Sequence, residues 1–116
     1  MGGTLALDAA RRRGDVVGVV AINAIGVVAD PDVIEHLEYM IGRGKTMQPA
    51  GAPDIRNPDA RDSAYIEQPR QALLEMTIGA GAVSARLGEV SVPVLVVSGD
   101  HDATIEPANS DAIAAA

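Results

Sequence analysis

Asp100, His101, Asp102 and Glu106 crowd together directly after the apolar run Val94, Leu95, Val96, Val97. In an open α/β sheet the carboxyl ends of strands collect ligands and catalytic groups, so a carboxylate in such a turn can orient a histidine for acid–base work. The same residues fit plainer roles. Asp100 and Asp102 can fold their oxygens back onto the backbone and simply make the turn. The four could also be offered to a metal, although neighbours in one turn seldom converge on an ion, and no metal site is expected. Gly2 and Gly3 stand at a helix start, where backbone amides can hold phosphate, but no P-loop lysine comes after them. Cysteine is absent, which excludes disulfides, thiolate nucleophiles and cysteine-ligated metal. Ser63, Ser84, Ser91, Ser98 and Ser110 are available hydroxyls, yet none lies in a G-x-S-x-G elbow. His36 falls in a helical pattern and reads as a solvated helix residue.

The elements that would position these groups are legible from periodicity. Leu5, Leu7, Ala9 and Ala10, ahead of Arg11, Arg12 and Arg13, predict a short helix from Thr4 that Gly14 ends. Residues 16–22 and 92–98 are β-branched runs without polar alternation, the pattern of parallel strands buried on both faces, with Pro93 at a tolerated strand start. Asp30 and Pro31 can open a helix whose Val33, Ile34, Leu37, Met40 and Ile41 form one apolar stripe, closed by Gly42 and Gly44. Packing on the sheet would be the ordinary use of that stripe. Residues 46–59, with Pro49, Gly51, Pro53 and Pro58, predict an irregular excursion. A further helix is expected over about 69–87, its Leu73, Met76, Ala80, Val83 and Leu87 in phase and weakened by Gly79 and Gly81. Residues 107–116 read as the beginning of a helix capped by Asn109 or Ser110.

Alternating helix and buried strand make an α/β arrangement. At 116 residues it fits one domain, residues 1–116, and two buried strands alone would not complete a sheet, so the chain is expected to be cut at both ends. With 47% hydrophobic and 22% charged residues it is too apolar for a disordered tail. A net charge of −7 leaves no electrostatic footprint for nucleic acid. The longest apolar run, residues 16–29, is broken by Asn23 and is too short for a membrane span. The residues after Met1 do not form a signal peptide, so a cytoplasmic location is the default expectation.

Met1, Gly2, Gly3 and Thr4, leading into an alanine-rich helix and a buried strand, resemble the segment just after the nucleophile in the α/β-hydrolase superfamily, where the elbow reads G-x-S-M-G-G-T. The tail SGDHDATIEPANSDAI resembles the acid turn of the same superfamily, whose triad runs in the order Ser, Asp or Glu, His. Within it, the chain resembles bacterial carboxylesterases and monoacylglycerol lipases, whose small cap would correspond to residues 30–66. The resemblance implies a partial α/β-hydrolase fold, a small ester or monoglyceride as substrate and no cofactor. It makes Asp102 the triad acid and the amide of Met1 an oxyanion donor. Ile34, Leu37, Met40 and Ile105 would line the acyl pocket. The serine would precede Met1 and the histidine would come after one further strand, since neither His36 nor His101 stands in the base's place. The 116 residues alone would then be inactive. The contrasting expectation is a small α/β binding or interaction module that never had a nucleophile.

Overall fold

Two four-residue strands, β1 (Val19–Ile22) and β4 (Val94–Val97), pair in parallel with Val19 opposite Val94 and Ile22 opposite Val97. They anchor a computed structural model that describes residues 1–51, 57, 59 and 65–116. Both strands are shorter than their apolar runs. Pairing begins where the Val19 N–H donates to the Pro93 carbonyl at 3.0 Å, because proline has an acceptor but no donor to extend the ladder.

Helix α1 (Gly2–Arg12) starts two residues earlier than its periodicity predicts and buries Thr4, Leu7 and Ala10. That i, i+3, i+6 spacing places them on one face against β1. Gly3 permits the approach, since a Cβ there would stand 2.8 Å from the Cβ of Ala24. Helix α2 (Pro31–Gly42) begins as expected: Asp30 caps it by accepting the Asp32 N–H at 3.0 Å, and Pro31 occupies the first turn. Its apolar stripe packs chiefly on α3 (Arg70–Ser84) instead of on the sheet. Helix α3 passes through Gly79 and Gly81 without a break, and a 3₁₀ turn, Leu87–Glu89, carries the chain towards β4.

The excursion after α2 is not wholly irregular. A two-stranded antiparallel ribbon forms from β2 (Met47–Pro49) and β3 (Glu67–Pro69), with both prolines at strand ends, where a lost donor is tolerated. The proposed cap, residues 30–66, lies partly outside the described residues, as does Ser63.

The final helix, α4 (Ala108–Ala115), is entered through Pro107 without a side-chain cap. Asn109 lies inside its first turn and is buried, contrary to the capping role expected of it or of Ser110. Both strands also depart from burial on two faces. Val19 and Ala21 are buried in the core formed with Leu7, Ala10, Leu87 and Ile113. Val20, Ile22 and Leu95 instead keep 61, 64 and 60% of their surface exposed. An unalternating apolar run encodes tolerance for two covered faces, whereas the covering layer must come from other elements. Among the described residues that layer lies on one side.

Candidate active site

Gly3 and Thr4 at the start of α1 lie against Ala24 and Ile25 just beyond β1, and β4 runs parallel to β1, so the start of α1 and the turn after β4 both lie at the carboxyl end of the strands. Thr4 marks the junction. Its hydroxyl, on a residue only 1% exposed, donates to the Ile25 carbonyl at 3.2 Å and stands 3.0 Å from the Ile25 N–H, which donates back to it. The threonine that completes the elbow-like motif therefore locks the first turn of α1 onto the segment leaving β1. Met1 is partly exposed beside this junction, its carbonyl accepting the first helical hydrogen bond from Leu5.

Asp102 is half-buried in the turn. Its Oδ1 accepts the N–H groups of Thr104 at 2.9 Å and Ile105 at 2.7 Å, and its own N–H donates to the Gly99 carbonyl at 3.3 Å. The carboxylate thus performs the turn-forming role open to it from sequence, and both bonds fall on a single oxygen. Asp100 and His101 are exposed. Among the described residues no group of three or more His, Asp or Glu could hold a metal ion.

The four apolar pocket candidates are distributed over two hollows. Ile105 borders one of about 210 Å³ with Ile25, Val27, Thr77, Ala80 and Asn109. Leu37, buried on α2, borders another of about 350 Å³ with Val33, His36, Gln48 and Leu73. Ile34 and Met40 are half-buried on α2, outside both linings. The hollows share a wall in α3, where Leu73, Thr77 and Ala80 lie on one helical face by their i, i+4, i+7 spacing.

The described serines have structural surroundings. Ser84 Oγ donates to the Ala80 carbonyl at 2.9 Å, Ser98 and Ser110 bury hydroxyls without a partner, and Ser91 is exposed. The perturbed ionisable groups lie away from the Asp102 turn. Hydrogen bonding to Arg11 holds the Asp8 carboxyl below its ordinary value, and Arg86 does the same for Glu89. Arg11, its side chain only 9% exposed, bridges Asp8 at 2.7 Å and Glu89 at 3.0 Å, joining α1 to the 3₁₀ turn. The arginines closing α1 are thus partners in structural ion pairs as well as favourable charges for the helix dipole.

Two polar residues gain roles that their local sequence does not announce. Asn23 interrupts an apolar run at the end of β1, and Asn109 resembles an ordinary cap. For Asn23 a signal does exist: a lone amide at the carboxyl end of a strand, where sites assemble.

No family model matches the chain. It is similar to the thermostable monoacylglycerol lipase of Bacillus sp. (strain H-257), with 32% identity over 116 residues. The match takes in 97% of this chain and 44% of that lipase, so the chain spans less than half the length of the curated relative. The parallel strand pair with its helices is compatible with part of an α/β fold. The chain is a distant relative of an ester hydrolase.

Proposed function

We propose that this chain is the acid-bearing part of a serine ester hydrolase that acts on monoacylglycerols or related carboxylic esters. The observation that carries the reading is the similarity to a monoacylglycerol lipase along nearly the whole chain. The meeting of α1 and the Asp102 turn at one end of the sheet supports it. In this reading a serine preceding Met1 attacks the ester carbonyl and a histidine takes its proton. Asp102 accepts the imidazole Nδ1–H through Oδ2, fixing the tautomer and stabilising the imidazolium that forms. The Met1 N–H donates to the oxyanion. The substrate's acyl chain lies along the α3 face between the hollows bordered by Leu37 and Ile105, with Ile34 and Met40 backing the cap helix. No cofactor enters the reaction, and the 116 residues alone are inactive because they supply neither nucleophile nor base.

The test is a graft. The stretch of the Bacillus lipase that aligns with this chain is replaced by the 116 residues, and hydrolysis of a monoacylglycerol is monitored. A folded, active hybrid is expected, with Asp102→Asn lowering kcat by about 10⁴ through the wrong histidine tautomer. A folded hybrid without hydrolysis, or one indifferent to Asp102→Asn, would overturn the proposal. A fluorophosphonate probe should leave the ungrafted chain unlabelled, and stoichiometric labelling of any serine would refute its inactivity.

A further inference from the structure

Asn23 and Asn109 tie the two ends of the Asp102 turn to the segment leaving β1. Among the described residues Asn23 is the one non-glycine with left-handed backbone, φ 45°, a conformation that asparagine tolerates better than most L-residues. Its N–H continues the ladder by donating to the Val97 carbonyl at 3.0 Å, and its Oδ1 accepts the Gly99 N–H at 3.3 Å. Asn109, 8% exposed, holds the other end. Its Oδ1 accepts the N–H groups of Gly26 at 3.0 Å and Val27 at 3.2 Å, while its Nδ2 donates to the Glu106 carbonyl at 3.1 Å. The fit leaves no slack, since a Cβ on Gly26 would stand 2.3 Å from the Asn109 carbonyl oxygen. Midway between these ties Thr4 grips Ile25. One short segment, residues 23–27, is therefore bonded to the start of α1 and to both ends of the turn.

We infer that Asn23 and Asn109 are positioning residues for Asp102, fixing the direction of its carboxylate relative to the start of α1 through the 23–27 segment. The inference rests on the reading of Asp102 as the triad acid. An acid whose task is to orient an imidazole depends on its own placement, and an error of about 1 Å can cost about 10²-fold in rate. The turn's internal bonds to Asp102 Oδ1 set its shape, whereas only ties to other elements set where it points.

Asn23 provides the discriminating substitutions. Asn23→Gly keeps the left-handed backbone and removes the acceptor, while Asn23→Asp keeps both. In the lipase graft, amide ¹⁵N order parameters at Thr104 and Ile105 are expected to fall from about 0.85 to below about 0.6 in Asn23→Gly. They should recover in Asn23→Asp and stay unchanged along α1. The same glycine variant should lower kcat by about 10- to 100-fold with KM unchanged, and the aspartate variant should restore it. Unchanged order parameters in Asn23→Gly would overturn the inference, as would values already low in the unsubstituted graft. An unchanged kcat in Asn23→Gly alongside a dead Asp102→Asn would overturn it while leaving the triad reading intact. An active Asp102→Asn graft would instead remove the triad reading, and the order parameters alone would still decide whether the asparagine holds the turn.

Discussion

Two carboxylates two residues apart have unequal consequences when altered. Asp102 accepts two backbone N–H groups and is half-buried, whereas Asp100 is exposed on the same turn. Asp100→Asn in the lipase graft should therefore change kcat by less than about tenfold, against the roughly 10⁴ expected for Asp102→Asn. A dead Asp100→Asn with a healthy Asp102→Asn would show that the acid had been assigned to the wrong position of the turn. Thr4 is the sharper test of stability. Thr4→Val preserves shape but strands the Ile25 N–H and carbonyl at a buried junction, which should cost about 1–3 kcal/mol in denaturant unfolding. Thr4→Ser retains the hydroxyl and should recover part of that loss.

The helices place their glycines in opposite circumstances. In α3 a Cβ on Gly79 would meet nothing within 4 Å, so Gly79→Ala should stabilise by about 0.5–1 kcal/mol through a less flexible unfolded chain and better helix propensity. In α1 a Cβ on Gly3 would overlap Ala24, so Gly3→Ala should destabilise by about 1–3 kcal/mol through overpacking. Urea midpoints at constant m-value would check both signs, and equal effects would refute the packing of α1 on the end of β1. In the sequence the two glycines look alike in kind, each a weak point in a helix or a common helix start. They differ in the distance to another element, which no local pattern encodes.

For the molecule as a whole, acid and exposed sheet surface set the limits. The carboxyl of Asp8, ordinarily titrating near 3.8, is held lower by Arg11 in the folded state, and Glu89 is lowered by Arg86. A depressed folded-state value favours the fold above the unfolded value, and that contribution is lost as pH falls through the folded one. The urea midpoints of the protein and of Asp8→Asn should therefore differ at about pH 6 and draw together below about pH 4. A gap that does not narrow at all on acidification below about pH 4 would exclude the ion pair as its cause. The second limit is the sheet face carrying Val20, Ile22, Leu95 and Val97, all exposed. Contiguous apolar surface of this kind promotes association, so the 116-residue protein should self-associate with rising concentration, and Leu95→Lys should increase the monomer fraction in light scattering. A monodisperse monomer of the unsubstituted protein would contradict this.

Local chemistry in the sequence determined the existence and type of the main elements: the stripe of α2 behind its Asp30–Pro31 start, the phase of α3, and apolar strands on either side of an insert. Those signals depend on neighbours a few residues apart, so they survive without a fold. The carboxylate turn was legible for the same reason, because Asp102 bonds residues two and three places onward. Tertiary structure alone decided which strand face is covered, that α2 packs on α3, and that the proline-rich excursion forms a ribbon with Glu67, Gln68 and Pro69. It alone also made Thr4, Asn23 and Asn109 a frame around the turn, through bonds between residues 21, 76 and 83 positions apart. A side-chain amide or hydroxyl has no periodicity to announce its partner, so its role appears only when the fold brings that partner within hydrogen-bond reach.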